Sequence, residues 1–202
     1  MPLKRAGVFF LLGIAVLAVI IAVLFLPRAI EGDFTRSVVR FFGLYGYLLL
    51  SVTTLVTPFL REVTQAFGKP FLKVHHSFAI LGVVFITLHP VFNALEFSLS
   101  VFVPNFVSWM AFWRLAGRPA FILLYVAVFA VFLRAKAPKY WRVFHALMYV
   151  VLFFGVVHAN LIGSDFQNLG IMLIFNALFI ASLAGFAFKR YRSYQLKRKI
   201  SR

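Results

Sequence analysis

Residues 74–95 read VHHSFAILGVVFITLHPVFNAL and residues 143–164 read VFHALMYVVLFFGVVHANLIGS. Neither stretch holds a Lys, Arg, Asp or Glu. Each is long enough to cross a bilayer core of about 30 Å as a helix, which takes about 20 residues. Yet the two together contain all five histidines of the chain: His75, His76 and His89 in one, His145 and His158 in the other. An ionisable ring inside a bilayer is costly, so an intramembrane His is a functional residue by default. His75 and His89 are 14 residues apart, and His145 and His158 are 13 apart. At about 1.5 Å rise per residue, each separation covers roughly 20 Å. Two such helices side by side offer two facing His pairs, one near each membrane surface. That is the arrangement a pair of bis-His haems requires.

The surrounding composition is that of a membrane protein. Of 202 residues, 63% are hydrophobic, 27 are Phe and 13% are charged, far from soluble-domain norms. The net charge of +16 rests on 21 Lys and Arg against 5 Asp and Glu. These basic residues lie between and after the apolar runs, so they read as topology signals and lipid-headgroup contacts, not as a nucleic-acid surface. The chain has no cysteine. That excludes disulfides, iron–sulfur clusters held by Cys, thiolate-ligated haem and covalent C-x-x-C-H haem attachment.

Six apolar stretches are candidate spans: 6–26, 41–60, 74–95, 119–133, 143–164 and 166–188. The first resembles a signal peptide but is too long and lacks a small-residue cleavage site, so it reads as a retained anchor. The fourth is short and is expected to begin a turn earlier, with Arg118 reaching to the interface. Between the third and fourth lies the aromatic segment 97–113, with Pro104, Asn105, Trp109 and Trp113, which reads as an interfacial helix or re-entrant turn. The expected architecture is an all-α, six-helix haem-binding bundle over 1–188 followed by a basic cytoplasmic tail, 189–202. Sixteen of the 21 Lys and Arg fall on the side of the termini and five on the other. The excess places both termini in the cytoplasm and the chain in the plasma (inner) membrane as a multi-pass protein. Spans three and five then run parallel, and the His depths match. His75 is the second residue of its stretch and His145 the third, while His89 and His158 are each the sixteenth.

A lone buried His is usually satisfied by a neighbouring carbonyl; two level pairs point to ligation instead. Fourteen residues fall about 40° short of whole turns, so His75 and His89 share a face. His76 is about 100° away and is the second candidate for the inner ligand. Thirteen residues are less comfortable, about 140° off on an ideal helix, and a kink or π-bulge near Gly155 would correct it. Zinc is the chemical rival, but His pairs about 20 Å apart cannot form one tetrahedral site. Arg61, Lys73, Arg142, Arg114 and Arg118 are candidates to pair with haem propionates, with headgroup contact the plainer role for each.

The pattern resembles the ferric reductase-like transmembrane family, which places two His on its third helix and two on its fifth, 13 to 14 apart. Within that family the likeness is closest to the haem-binding membrane subunits of bacterial methionine sulfoxide reductase systems. It is carried by Gly43, Thr57-Pro58 and Arg61, by Arg118-Pro119, and by the ordered set Trp141, His145, Tyr149 and His158. At His75-His76 the chain departs from those subunits, which often carry Arg-Arg, and is similar to the oxidase branch, with Ala79 at the small-residue position. The resemblance implies haem b, two per chain. His75 and His145 would hold the inner iron, His89 and His158 the outer, with His76 as the alternative.

The function so implied is transmembrane electron transfer by an oxidoreductase component. Electrons would come from a cytoplasmic flavoprotein or a membrane quinol, and leave to an extracytoplasmic acceptor, a partner reductase. No G-x-G-x-x-G occurs, so FMN or quinone would belong to a partner. The alternatives are a stand-alone ferric-chelate or quinone reductase and, from another class, a haem-free His-lined proton or metal transporter. Transporters of that kind usually place carboxylates inside their spans, and here none lies inside any of the six stretches.

Overall fold

The structure, a computed structural model, describes residues 3–200, with backbone alone for 197, 199 and 200. All its regular elements are helical, with no strand among the described residues. In chain order they are α1 (Arg5–Glu31), α2 (Phe34–Val56), α3 (Leu60–Phe67), α4 (Phe71–Glu96), α5 (Trp109–Arg114), α6 (Gly117–Phe129), α7 (Trp141–His145), α8 (Met148–Ile162) and α9 (Leu169–Ile200). Six units among them are long and apolar enough to cross a membrane: α1, α2 running on into α3, α4, α6 with the 3-10 turn after it, α7 with α8, and α9.

Helices begin and end where the side chains dictate. Asp33 caps α2 by accepting from the Arg36 amide at 3.1 Å, and Ser108 caps α5 from the Ala111 amide at 3.1 Å. Asn168 does the same for α9, accepting from the Gly170 amide at 2.9 Å. α3 ends at Gly68, whose φ of 62° is left-handed and suits glycine. The helices outrun the uncharged stretches at several ends. α1 extends to Glu31, α4 begins at Phe71, and the fourth span begins at Gly117, two residues before the apolar run and about half the turn expected, taking in Arg118. The basic tail is no separate element, because α9 continues through it to Ile200; Arg202 lies outside the described residues.

α2 is the hub. Its Leu44, Leu48 and Leu50 are buried in one core with Ile21 of α1, Leu124 of α6, Leu152 of α8 and Phe175 of α9. It lies closest to α4, and a Cβ at Gly46 would sit 2.7 Å from the Ile86 amide nitrogen, so the helices meet there backbone to backbone. α1 is peripheral and leaves Phe9, Val16 and Val23 exposed, the side a lipid tail would cover.

Between α8 and α9, Asn160 and Asn176 exchange amide hydrogen bonds at 3.3 and 3.2 Å, while each amide also donates to its own helix at 2.7 Å. Reciprocal amides hold apolar helices together where lipid gives no hydrophobic drive. Asn176→Leu is expected to lower stability in detergent by about 1 kcal/mol, read as a shift in the unfolding midpoint. Asn160→Leu should give the same loss, and the double variant no more than either alone.

Candidate functional site

α4 and the α7–α8 unit carry the five histidines, and the bundle sorts four of them into two pairs. At the end of the bundle holding Arg61, Lys73 and Arg142, the rings of His75 and His145 stand 6.2 Å apart centre to centre with planes at 64°. At the opposite end His89 and His158 line one cavity of about 370 Å³, within the usual range of ligand pockets. His76 is exposed, 5.9 Å from His75 and outside both pairs. His75, not His76, thus stands against the His145 ring, while His89 and His158 line one cavity together.

Each paired ring is held by its Nδ1. His89 Nδ1 donates to the Val39 carbonyl at 2.8 Å, His158 Nδ1 to Arg114 at 2.8 Å and His145 Nδ1 to Ala127 at 2.9 Å. A carbonyl can only accept, so these nitrogens carry the proton and a neutral ring keeps its lone pair on Nε2. His75 Nδ1 lies 3.4 Å from the Thr57 hydroxyl, whose own proton is given to the Thr53 carbonyl at 2.8 Å. The hydroxyl is thus left as the acceptor. Metal-ligating histidines are oriented in this way, with the second nitrogen anchored and the ligating one free.

The register problem in the fifth span is solved elsewhere than near Gly155. α8 is continuous through Gly155, and the irregularity falls at Ala146–Leu147, directly after His145. There the Leu147 amide bonds to Phe144 at 3.1 Å and the Tyr149 amide to Ala146 at 3.1 Å, both spanning three residues instead of four. Turns of three residues overwind the helix by about 20° per residue. This brings a 13-residue spacing closer to four whole turns. Gly155 instead receives the Tyr47 ring: a Cβ there would stand 3.0 Å from it.

Two other glycines shape the cavity. A Cβ at Gly43 would lie 2.9 Å from His89 Nδ1, and one at Gly117 would lie 3.0 Å from His158 Cδ2. Both rings pack directly against helix backbone because no side chain projects there. The aromatic segment before the fourth span supports this end. Trp113 packs edge-on to Phe153 and Phe154, with centroids 6.0 and 5.6 Å away, and places the Arg114 carbonyl over His158.

The polar rim of the cavity includes three residues that sequence reasoning passed over: Arg40, Asn93 and Asp165. Arg40 grips Asp165 through two bonds of 2.9 and 2.8 Å, with the carboxylate side chain 5% exposed, and its guanidinium lies 5.1 Å over the Phe25 ring. Arg28 donates to the Ser164 carbonyl, tying down the same turn. Arg118 also lines the cavity, but gives one donor to the Val103 carbonyl at 2.9 Å. The one sequence clue to this clasp was Asp165, one of only five acids in the chain, set between two spans. Breaking a buried pair leaves a charge unpaired, at about 3–5 kcal/mol. Asp165→Asn should therefore lower the unfolding midpoint sharply, and Arg40→Leu with Asp165→Leu should restore most of it.

The His75–His145 pair fits a bis-His haem by its ring separation. Two imidazoles bound to one metal ion at about 2 Å stand with centres about 6 Å apart, the separation found for His75 and His145. Among the described residues no three His, Asp or Glu side chains converge in a group that could hold a metal ion. No family model, curated protein or solved structure matches the chain.

Proposed function

We propose that the protein is a transmembrane electron-transfer haem b protein of the ferric reductase-like kind, lying in the plasma membrane with both termini in the cytoplasm. The observation that carries the reading is the set of four Nδ1-anchored rings on the third and fifth spans, His75 against His145 at one end and His89 with His158 lining one cavity at the other. Haem iron, when bound between such a pair, supplies one-electron chemistry. The chain supplies position and surroundings. His75 with His145 and His89 with His158 would hold the two haems, each ring aimed by its anchored second nitrogen. Gly43 and Gly117 keep the outer rings against the helices. Arg118 and the Arg40–Asp165 clasp form the polar end of the outer cavity, where propionates would be met. The apolar walls, among them Leu44, Ile86, Val151 and Phe121, exclude water and so help set the potential.

On this reading a cytoplasmic flavoprotein or a membrane quinol is the donor, and an extracytoplasmic partner reductase the acceptor. The test is optical. Purified protein should show the sharp bands of low-spin bis-His haem b on dithionite reduction, at about two haems per chain, all extractable by acid acetone because no Cys attaches them. A colourless protein from haem-replete cells would end the proposal and favour a His-lined transporter.

A further inference from the structure

An apolar groove runs down the outside of the bundle along the fourth span. Phe121, Tyr125, Phe129 and Leu133 recur every four positions and so form one ridge of the helix. Val126 lies on the next ridge, and Phe144 of α7 lines the groove with them. It holds about 630 Å³, in the range of ligand sites, and it opens sideways, with Val126, Phe129 and Leu133 exposed. From Phe121 to Leu133, through α6 and the 3-10 turn Ala130–Arg134, the chain rises roughly 20 Å. One leaflet of hydrocarbon is about 15 Å deep. An acyl chain entering at the Leu133 end therefore fits within the groove's length. At that same end the chain gathers positive charge. Arg134 follows Leu133, and Arg142 precedes Phe144 by two residues. Consecutive turns join the two: the Ala137 amide donates to the Leu133 carbonyl at 2.7 Å, and the Trp141 amide to the Ala137 carbonyl at 3.2 Å. Both guanidinium groups thereby come to one indole, 5.8 and 5.7 Å from the Trp141 ring centre, where cation–π attraction helps to hold them. Among the described residues no acid pairs with either, and Glu62, the single acid at this end, is taken by Lys189 at 3.0 Å. Counted from Gly117, Arg134 stands roughly 28 Å along the span, close to the full depth of the hydrocarbon core. That depth is the headgroup layer. Guanidinium forks match phosphate, and basic pockets between membrane helices hold anionic lipid headgroups.

We propose that groove and guanidinium pair together bind one anionic phospholipid of the adjacent leaflet, its phosphate held by Arg134 and Arg142 and one acyl chain laid between Phe129 and Phe144. The site stands on the bundle alone and needs no haem. The Trp141 ring at its head is 6.0 Å from the His145 ring, so the bound lipid adjoins the inner pair. Native mass spectrometry of the detergent-purified full chain tests this, with dioleoyl phosphatidylglycerol, dioleoyl phosphatidylcholine and glycerol phosphate as probes. The anionic lipid should form a saturable one-to-one complex, at least about tenfold tighter than the zwitterionic lipid with the same chains. R134Q/R142Q, at two exposed positions, should remove that preference. V126W, which fills the groove from an exposed position, should weaken both lipids by about tenfold. R190Q/R192Q takes the same charge from exposed positions on α9 and should change neither affinity. Size-exclusion elution shows that each variant stays folded. Equal affinity of the parent for the two lipids would overturn the proposal, as would R134Q/R142Q or V126W binding as the parent does. If R190Q/R192Q weakened the anionic lipid as much as R134Q/R142Q, the attraction would be a diffuse effect of net charge and the site would fall. Displacement of the lipid by glycerol phosphate at equal concentration would leave an anion site without a groove, and overturn it as well.

Discussion

His89→Ala and His158→Ala are each expected to remove one and the same haem from the purified protein, and His75→Ala and His145→Ala each the other. Haem content should fall from about two per chain to about one in every single variant. Ligands that act as one unit give non-additive losses, so the His89/His158 double variant should match either single. A cross-pair double, such as His75 with His158, should retain none. Pyridine haemochrome content per chain measures this, with size-exclusion elution to show that each variant stays folded. His76→Ala should keep both haems, because its exposed ring lies outside the facing pairs. Loss of the inner haem in His76→Ala with retention in His75→Ala would shift the register of the third span by one residue. Retention of both haems in any of the four paired-His variants would refute the pairing.

The sequence carried the helices and the depths of the histidines because hydropathy and the 1.5 Å rise are local properties. Helix ends were less legible. A hydropathy run stops at the first charge, but the backbone ladder does not, so α2 leads into α3 past Arg61 and α9 continues past Lys189. Long basic side chains reach outward from such positions at little cost. The adjustment of the fifth span was visible as a necessity but not as a place. Gly155 looked like the weak point, yet it is the seat of the Tyr47 ring, and the overwinding sits at Ala146–Leu147, where no Gly or Pro marks it. The Arg40–Asp165 clasp was hidden because its partners are 125 residues apart. Only packing the turn after α8 against α2 joins them. Arg40 on its own was indistinguishable from the other basic residues that flank spans.

Sealed, right-side-out vesicles loaded with a flavin reductase and NADH are expected to reduce external ferricyanide, and to stop doing so when either His pair is broken. His75 lies two residues into its uncharged stretch and His145 three, while His89 and His158 each leave six residues before the far end. Each pair is therefore near one aqueous face, and the roughly 20 Å between them is two-thirds of the core. Neither pair alone bridges the barrier. On the proposed orientation the large basic excess at the His75/His145 end lies inside, so on that reading the inner pair would receive and the outer pair would deliver. His75→Ala and His158→Ala should both bring external reduction down to the leak rate of a variant lacking all four ligands. Their effects on dithionite-reducible haem should still be only half. That disparity, half the haem but none of the transfer, is what a series relay requires and a pair of independent sites does not produce. Quinol supplied within the membrane separates the two donors. If His75→Ala abolishes transfer from the internal flavin but spares transfer from quinol, the quinol is oxidised directly at the outer pair. If His75→Ala leaves the flavin-driven rate intact, the inner pair is not on the route and the transmembrane relay falls.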